Sequence, residues 1–135
     1  MLISAVLTLS PTCPVTLPAN LGRATHAWFL EQVQASDPAL AASLHAPNQE
    51  RPFTVSNLRG TPRPTQGQVA LTPDRSCFLR LTSFQPELSA LVAERVLPHL
   101  PEQISMAGAG FRLAGATRQA AEHPWAGTTT FEELV

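Results

Sequence analysis

The sequence predicts an α+β fold of the ferredoxin-like βαββαβ kind, an antiparallel sheet backed by two helices. Three observations lead there. Segments of strand length at 2–9, 53–58 and 77–83 are apolar or alternate with period two. Two other segments, from Leu21 and from Pro86, carry apolar residues at helical spacing. Proline, glycine and aspartate punctuate the boundaries, so the patterns fall in the order strand, helix, strand, strand, helix, strand.

Leu2 to Leu9 forms the first strand, stopped by Pro11, while Pro14 and Pro18 hold an extended loop. Asn20 is placed to cap a helix over Leu21 to Ala35, whose apolar side is Leu21, Ala24, Trp28, Phe29 and Val33. Asp37-Pro38 restarts the chain as a short helix, with an acidic N-cap and proline at the first helical position. Its Leu40 and Leu44 stand four apart, and His45 follows at its end. A strand from Phe53 to Leu58 gives way to an arginine-bearing loop, Gly60 to Gly67. Gln68–Leu71 and Cys77–Ser83 are expected to pair as a hairpin around Thr72-Pro73-Asp74-Arg75. The second helix starts at Pro86 and Glu87, buries Leu88, Leu91, Val92 and Val96, and ends at Pro98 and Pro101. A last hairpin runs through Gln103–Met106 and Phe111–Thr117.

The 135 residues are enough for one domain and the start of another, and a 44% hydrophobic content supports a sizeable core. With 14% charged residues and a formal net charge of −1, no global charge argues for a polyanionic partner. The local distribution does. Every basic residue is arginine, and Arg51, Arg59, Arg63, Arg75 and Arg80 share positions 51–80 with Asp74 as the sole acid, a local charge of +4. Guanidinium forks match phosphate geometry, so this run suits a nucleic-acid backbone as well as it suits a solvated loop.

Cys13 and Cys77 lack CxxC spacing and nearby histidines, which leaves no zinc set. The carboxylates are scattered, without metal-ligand spacing, and Gly108-Ala109-Gly110 fits neither a dinucleotide loop nor a P-loop. No cofactor is expected. Met1–Leu9 has no basic flank and is too short to span a bilayer, so a cytoplasmic location is the expectation.

The stretch from Ser43 to Leu58 carries the chemistry. A titratable imidazole at the end of a helix, His45, is followed by a guanidinium at the mouth of a strand, Arg51, a pair suited to acid–base work on a phosphate. A helix C-cap histidine and a solvated loop arginine account for the same residues. His26, on the first helix near Phe29 and Leu30, is a second candidate; a half-buried structural role is its alternative.

An initial strand, a helix, then "LH", a polar loop and "PFTVS" resembles the amino-terminal half of the CRISPR-associated endoribonucleases that process precursor crRNA, members of the RAMP superfamily. "HPWAG" at His123 to Gly127, followed by "TTFEEL", resembles the passage linking the two halves of such proteins. The resemblance implies a ferredoxin-like domain over 1–120, with 121–135 a linker and the start of a second such domain. It also implies metal-independent cleavage of repeat RNA by the ribose 2′-hydroxyl, leaving a 2′,3′-cyclic phosphate. The catalytic residues would be His45, Arg51 and His26, and the RNA contacts Arg59, Arg63, Arg75 and Arg80. The alternative is a non-catalytic RNA-binding subunit of an effector complex. The implied partners are CRISPR repeat RNA and further effector subunits, with no membrane; surface around Trp125 meant for a second domain would favour a homodimer. The family often has a tyrosine on the first helix, where this chain has Leu30 and no tyrosine anywhere, and commonly a lysine at the position of Arg51.

Overall fold

A computed structural model describes residues 2–44, 53–118 and 127–129. Strand β1 (Leu2–Pro11) is the axis of the sheet. Its alternate residues Ile3, Ala5, Leu7 and Leu9 are almost fully buried, because the helices pack on this face of the sheet. After β2 (Val15–Pro18) come α1 (Gly22–Ser36), α2 (Pro38–Leu44), β3 (Phe53–Val55), β4 (Gln68–Leu71) and β5 (Cys77–Ser83). The chain closes with α3 (Pro86–Leu91), β6 (Gln103–Met106), β7 (Ala109–Thr117) and β8 (Gly127–Thr129).

The main sheet runs β3-β5-β1-β7-β6, all antiparallel, as expected for the ferredoxin-like plan with one further edge strand. Strand β5 runs the length of β1, from Ile3↔Ser83 to Leu9↔Cys77. On the other edge of β1, β7 covers Val6 to Pro11, and β8 takes up the line at Leu2 to Ser4. A register shift between Thr8 and Leu9 accommodates one extra residue of β7 there.

Two expectations change. The turn at Thr72–Arg75 forms, with the Arg75 N–H donating to the Thr72 carbonyl at 3.1 Å. The strands on either side of it do not pair with each other. Strand β4 instead pairs with β2, from Val15↔Leu71 to Pro18↔Gln68, so the proline-bounded loop is itself a strand. Cys77, Leu79, Leu81 and Ser83 are all buried, and that continuous inward row needs β1 and β3 as flanking partners. Val69 and Leu71, with Leu17 of β2, cover the core as a small second sheet. The expected strand to Leu58 is also shorter, ending at Val55, and Arg59 rejoins the sheet through a single bridge to Phe78.

Two tight turns use positive φ. Gln66-Gly67 (52° and 75°) closes the loop ahead of β4, with Thr65 and Gln68 exchanging both backbone bonds at 2.8 and 3.0 Å. Ala107-Gly108 (53° and 77°) joins β6 to β7. Both positions being positive is the signature of the turn whose twist matches a hairpin.

Asp37 restarts the helix as expected, its Oδ1 accepting from the Leu40 N–H at 3.0 Å. The second helix is α-helical only to Leu91, and then widens to a π turn at Val92–Val96 and tightens to a 3₁₀ turn at Leu97–His99. Pro98 has no N–H to give the Glu94 carbonyl and its ring crowds that oxygen, so the α pattern cannot continue there. The expected apolar set of Leu88, Leu91, Val92 and Val96 is buried.

Cys77 is buried and its thiol pKa is raised above the ordinary value, by desolvation first, while Cys13 is exposed. A native thiol-labelling reagent is therefore expected to modify Cys13 at once and Cys77 only on unfolding. Mass spectrometry showing both modified at equal rates in native buffer would contradict this packing of β5 against β1.

Candidate functional site

The geometry around His26 starts with the first turn of α1. Leu21, at the head of the helix, gives it no side-chain cap. Asn20 Oδ1 accepts from the Gly22 N–H at 3.1 Å, and Asn57 Oδ1 accepts from the Leu21 N–H at 2.7 Å. Thr25 is fully buried, and its hydroxyl, with one proton to give, lies within hydrogen-bond reach of the carbonyls of Ser56 (2.9 Å) and Gly22 (3.1 Å). The next residue, His26, is half-buried. Its ring stacks on Phe53 at a centroid separation of 5.2 Å and an interplanar angle of 24°. Phe29 meets the same phenyl ring at 5.2 Å, tilted by 51°. An apolar shelf thus fixes one face of the imidazole, a setting in which it can be held for proton transfer.

His45, Arg51, His123 and Trp125 lie outside the described residues, as does the expected domain boundary near 120. Segment 45–52 joins Leu44, at the end of α2, to Phe53 at the start of β3. The phenyl ring that holds His26 is therefore two residues along the chain from Arg51.

The four expected RNA-contact arginines do not form one patch with His26. Arg80 belongs to the row Phe78, Arg80, Thr82 of β5, on the face opposite the helices. Its Nε donates to Ser4 Oγ at 2.7 Å, and its backbone exchanges bonds with Ser56, N–H to Ser56 Oγ at 2.8 Å and carbonyl from the Ser56 N–H at 2.9 Å. Arg59 stands opposite Phe78 on that face, the two backbones exchanging bonds of 2.7 and 2.9 Å. Gly60 beyond it packs on the Phe78 ring: a Cβ there would lie 3.5 Å from the phenyl carbons, and its φ of +75° suits glycine. Arg63 is exposed in the loop before the Gln66-Gly67 turn. Arg75 is exposed in the turn before β5, at the opposite end of that strand from Ser83, the partner of Phe53. At about 3.4 Å per residue, the length of β5 separates Arg75 from the His26 end by roughly 20 Å.

The open face holds a further arginine that the charge cluster did not reveal. Arg112 of β7 pairs with Ser10 and Gln103 and is exposed, between the core residues Phe111 and Leu113. The alternation Phe-Arg-Leu in a strand was the available signal. Asp74, the acid among these arginines, is held below the usual carboxylate range by the Thr72 hydroxyl first, then by a backbone N–H, with Arg75 adding a smaller charge effect. His99 caps its own helix, with Nδ1 3.0 Å from the Arg95 carbonyl. Among the described residues no three His, Cys, Asp or Glu side chains gather as metal ligands, and no helix is long and apolar enough to cross a membrane.

The family model for the CRISPR Cas6 N-terminal domain matches residues 1–135. Among solved structures, a Cas6 product complex is 29% identical, with a TM-score of 0.74 over 99% of this chain and 47% of its own. A Thermus thermophilus Cas6 is 30% identical, with a TM-score of 0.55 over 99% of this chain and 43% of its own. A RAMP protein described as binding different RNA substrates shares the fold at 19% identity, with a TM-score of 0.64 over 85% of this chain and 47% of its own. The chain thus spans about half the length of the structures it matches. No match is found among the curated proteins.

The two kinds of arginine should separate experimentally. Arg80→Met is expected to lower the unfolding free energy by about 1 kcal/mol through loss of the bond to Ser4, whereas Arg63→Met stays within about 0.5 kcal/mol of the parent. Urea denaturation at constant m-value measures both, and equal effects would contradict the structural role given to Arg80.

Proposed function

We propose, from the premise that the chain belongs to the CRISPR Cas6 N-terminal domain family, that the intact protein is a metal-independent endoribonuclease cutting CRISPR repeat RNA. The observation that carries this reading is the family match over residues 1–135, together with the 29% identity and matching fold of a Cas6 captured as a product complex.

In the mechanism that follows, the nucleophile is the ribose 2′-hydroxyl beside the scissile phosphate. His45 moves protons, taking one from the 2′-hydroxyl or giving one to the leaving 5′-oxygen. The 2′-oxygen forms its bond to phosphorus as the bond to the 5′-oxygen breaks, leaving a 2′,3′-cyclic phosphate and a 5′-hydroxyl. Arg51 stabilises the charge that grows on the phosphoryl oxygens, and as a guanidinium it does so without exchanging a proton. His26 is the second imidazole available for acid–base work, and its stack on Phe53 supports that assignment by holding it at the start of β3. Arg59, Arg63, Arg75 and Arg80 contact the RNA backbone. The domain of residues 1–120, whose sheet β8 (Gly127–Thr129) also joins, is followed, in this reading, by a second ferredoxin-like half that holds the substrate.

A second reading has one observation in its favour. Arg59, Arg80 and Arg112 lie on the face away from His26, a surface suited to binding without cleavage, and the RAMP protein described as binding different RNA substrates shares the fold. The chain would then belong to a non-catalytic RNA-binding subunit of an effector complex.

Incubating the intact protein with repeat RNA in excess chelator tests the first reading. Cleavage is expected to persist, with a cyclic phosphate end, and His45→Ala is expected to slow it about 10²–10⁴-fold while RNA stays bound. A strict metal requirement would remove the mechanism, and unchanged cleavage in both His45→Ala and His26→Ala would remove both histidines. Residues 1–135 alone are expected to bind RNA weakly and cleave poorly, since positioning supplies much of the rate. Equal activity per molecule of fragment and intact protein would show that no second half is needed.

A further inference from the structure

We propose that Asn57 is a positioning residue for His26, locking the helix that carries the imidazole to the strand that carries its stacking partner. The proposal rests on the reading of His26 as an acid–base group only for its effect on cleavage; the geometric part stands apart from it.

A single carboxamide makes the lock. Asn57 Oδ1 accepts from the Leu21 N–H at 2.7 Å and from the Leu58 N–H at 2.9 Å, while Nδ2 donates to the Ala19 carbonyl at 2.8 Å. These bonds tie the chain entering α1 to the chain leaving β3. The first turn of a helix leaves backbone N–H groups unsatisfied. Here Leu21 supplies no side-chain cap, and the acceptor for its N–H comes from 36 residues away. The neighbouring rung is Thr25 Oγ1 to the Ser56 carbonyl at 2.9 Å, made by a side chain with no exposure. So the residues before and after the start of α1 are pinned to Ser56-Asn57, and His26 immediately follows the last pin.

The consequence is rotational. A helix with its side chains is about 10–12 Å across, so a turn of ~20° about its axis displaces a side-chain tip by roughly 2 Å. That would slide the His26 ring off Phe53. The carboxamide supplies both the acceptor and the donor in one plane at this short reach: glutamine is longer by a methylene, aspartate keeps the two accepted bonds and loses the donated one, and alanine loses all three.

The experiment uses the intact protein with its histidines selectively labelled with ¹³C, the His26 ring signals being assigned through His26→Gln. Stacking on a phenyl face shifts those signals upfield. Asn57→Ala is expected to abolish the shift and Asn57→Asp to reduce it, with circular dichroism and repeat-RNA affinity unchanged. Single-turnover cleavage is expected to fall up to about 10²-fold in the same order, the scale of an ångström-sized misplacement. Thr25→Val, which keeps the shape and removes the hydroxyl, is the second variant should Asn57→Ala fail to fold, and it is expected to reduce the shift likewise. His26 signals that stay in place in Asn57→Asp and Thr25→Val overturn the proposal, whatever happens to cleavage. Signals that move while cleavage holds uphold the lock and remove His26 from the reaction, a result that His26→Ala gives independently.

Discussion

Everything in this domain hangs on β1 being hydrogen-bonded along both edges at once. A strand so placed can leave no residue to solvent on the helix side, and Ile3, Ala5, Leu7 and Leu9 meet that demand with exposures of 2% or less. Its other row, Ser4, Val6, Thr8 and Ser10, is small or β-branched, which lets the longer Arg80 and Arg112 project from the flanking strands β5 and β7. The two faces of one strand therefore divide the chemistry of the molecule. The His26 imidazole belongs to the helix side, and the guanidinium groups of Arg59, Arg80 and Arg112 to the open side.

How much of this could be read from the sequence depended on whether the signal was local. The strands, the restart at Asp37-Pro38 and the apolar row of α3 follow from residues within a few positions of one another, and they form. The partner of β4 does not. A turn signal at Thr72–Arg75 describes a reversal, and only the demand of β5 for two neighbours in the main sheet decides that β4 goes to β2 instead. The π turn at Val92–Val96 was legible only as a stop, since Pro98 announces that the α pattern fails and not how the chain relaxes.

The same division applies to the candidate site. Arginines close in sequence looked like one cluster, yet Arg59 and Arg80 share a face while Arg63 and Arg75 sit in separate turns. Arg112, distant in sequence, joins the open face because β7 pairs with β1. His26 was visible as a titratable residue at the border of an apolar stripe. Its stacking on Phe53, and the bonds from Ser56 and Asn57 that fix the helix beneath it, join residues some 30 positions apart and left no trace in any local pattern.

The pairing of β8 beside β7 on one edge of β1 has a bearing on the order in which the molecule is made. Leu2, Ile3 and Ser4 leave the ribosome long before their partners on that edge, Thr129, Thr128 and Gly127. The other edge must wait for Thr82 and Ser83. The amino-terminal end of the central strand thus remains an open edge until those partners have been made, exposed to pairing with other nascent chains. A ladder closed by such distant residues also predisposes the domain to slow folding, because loop closure must precede the contacts that reward it.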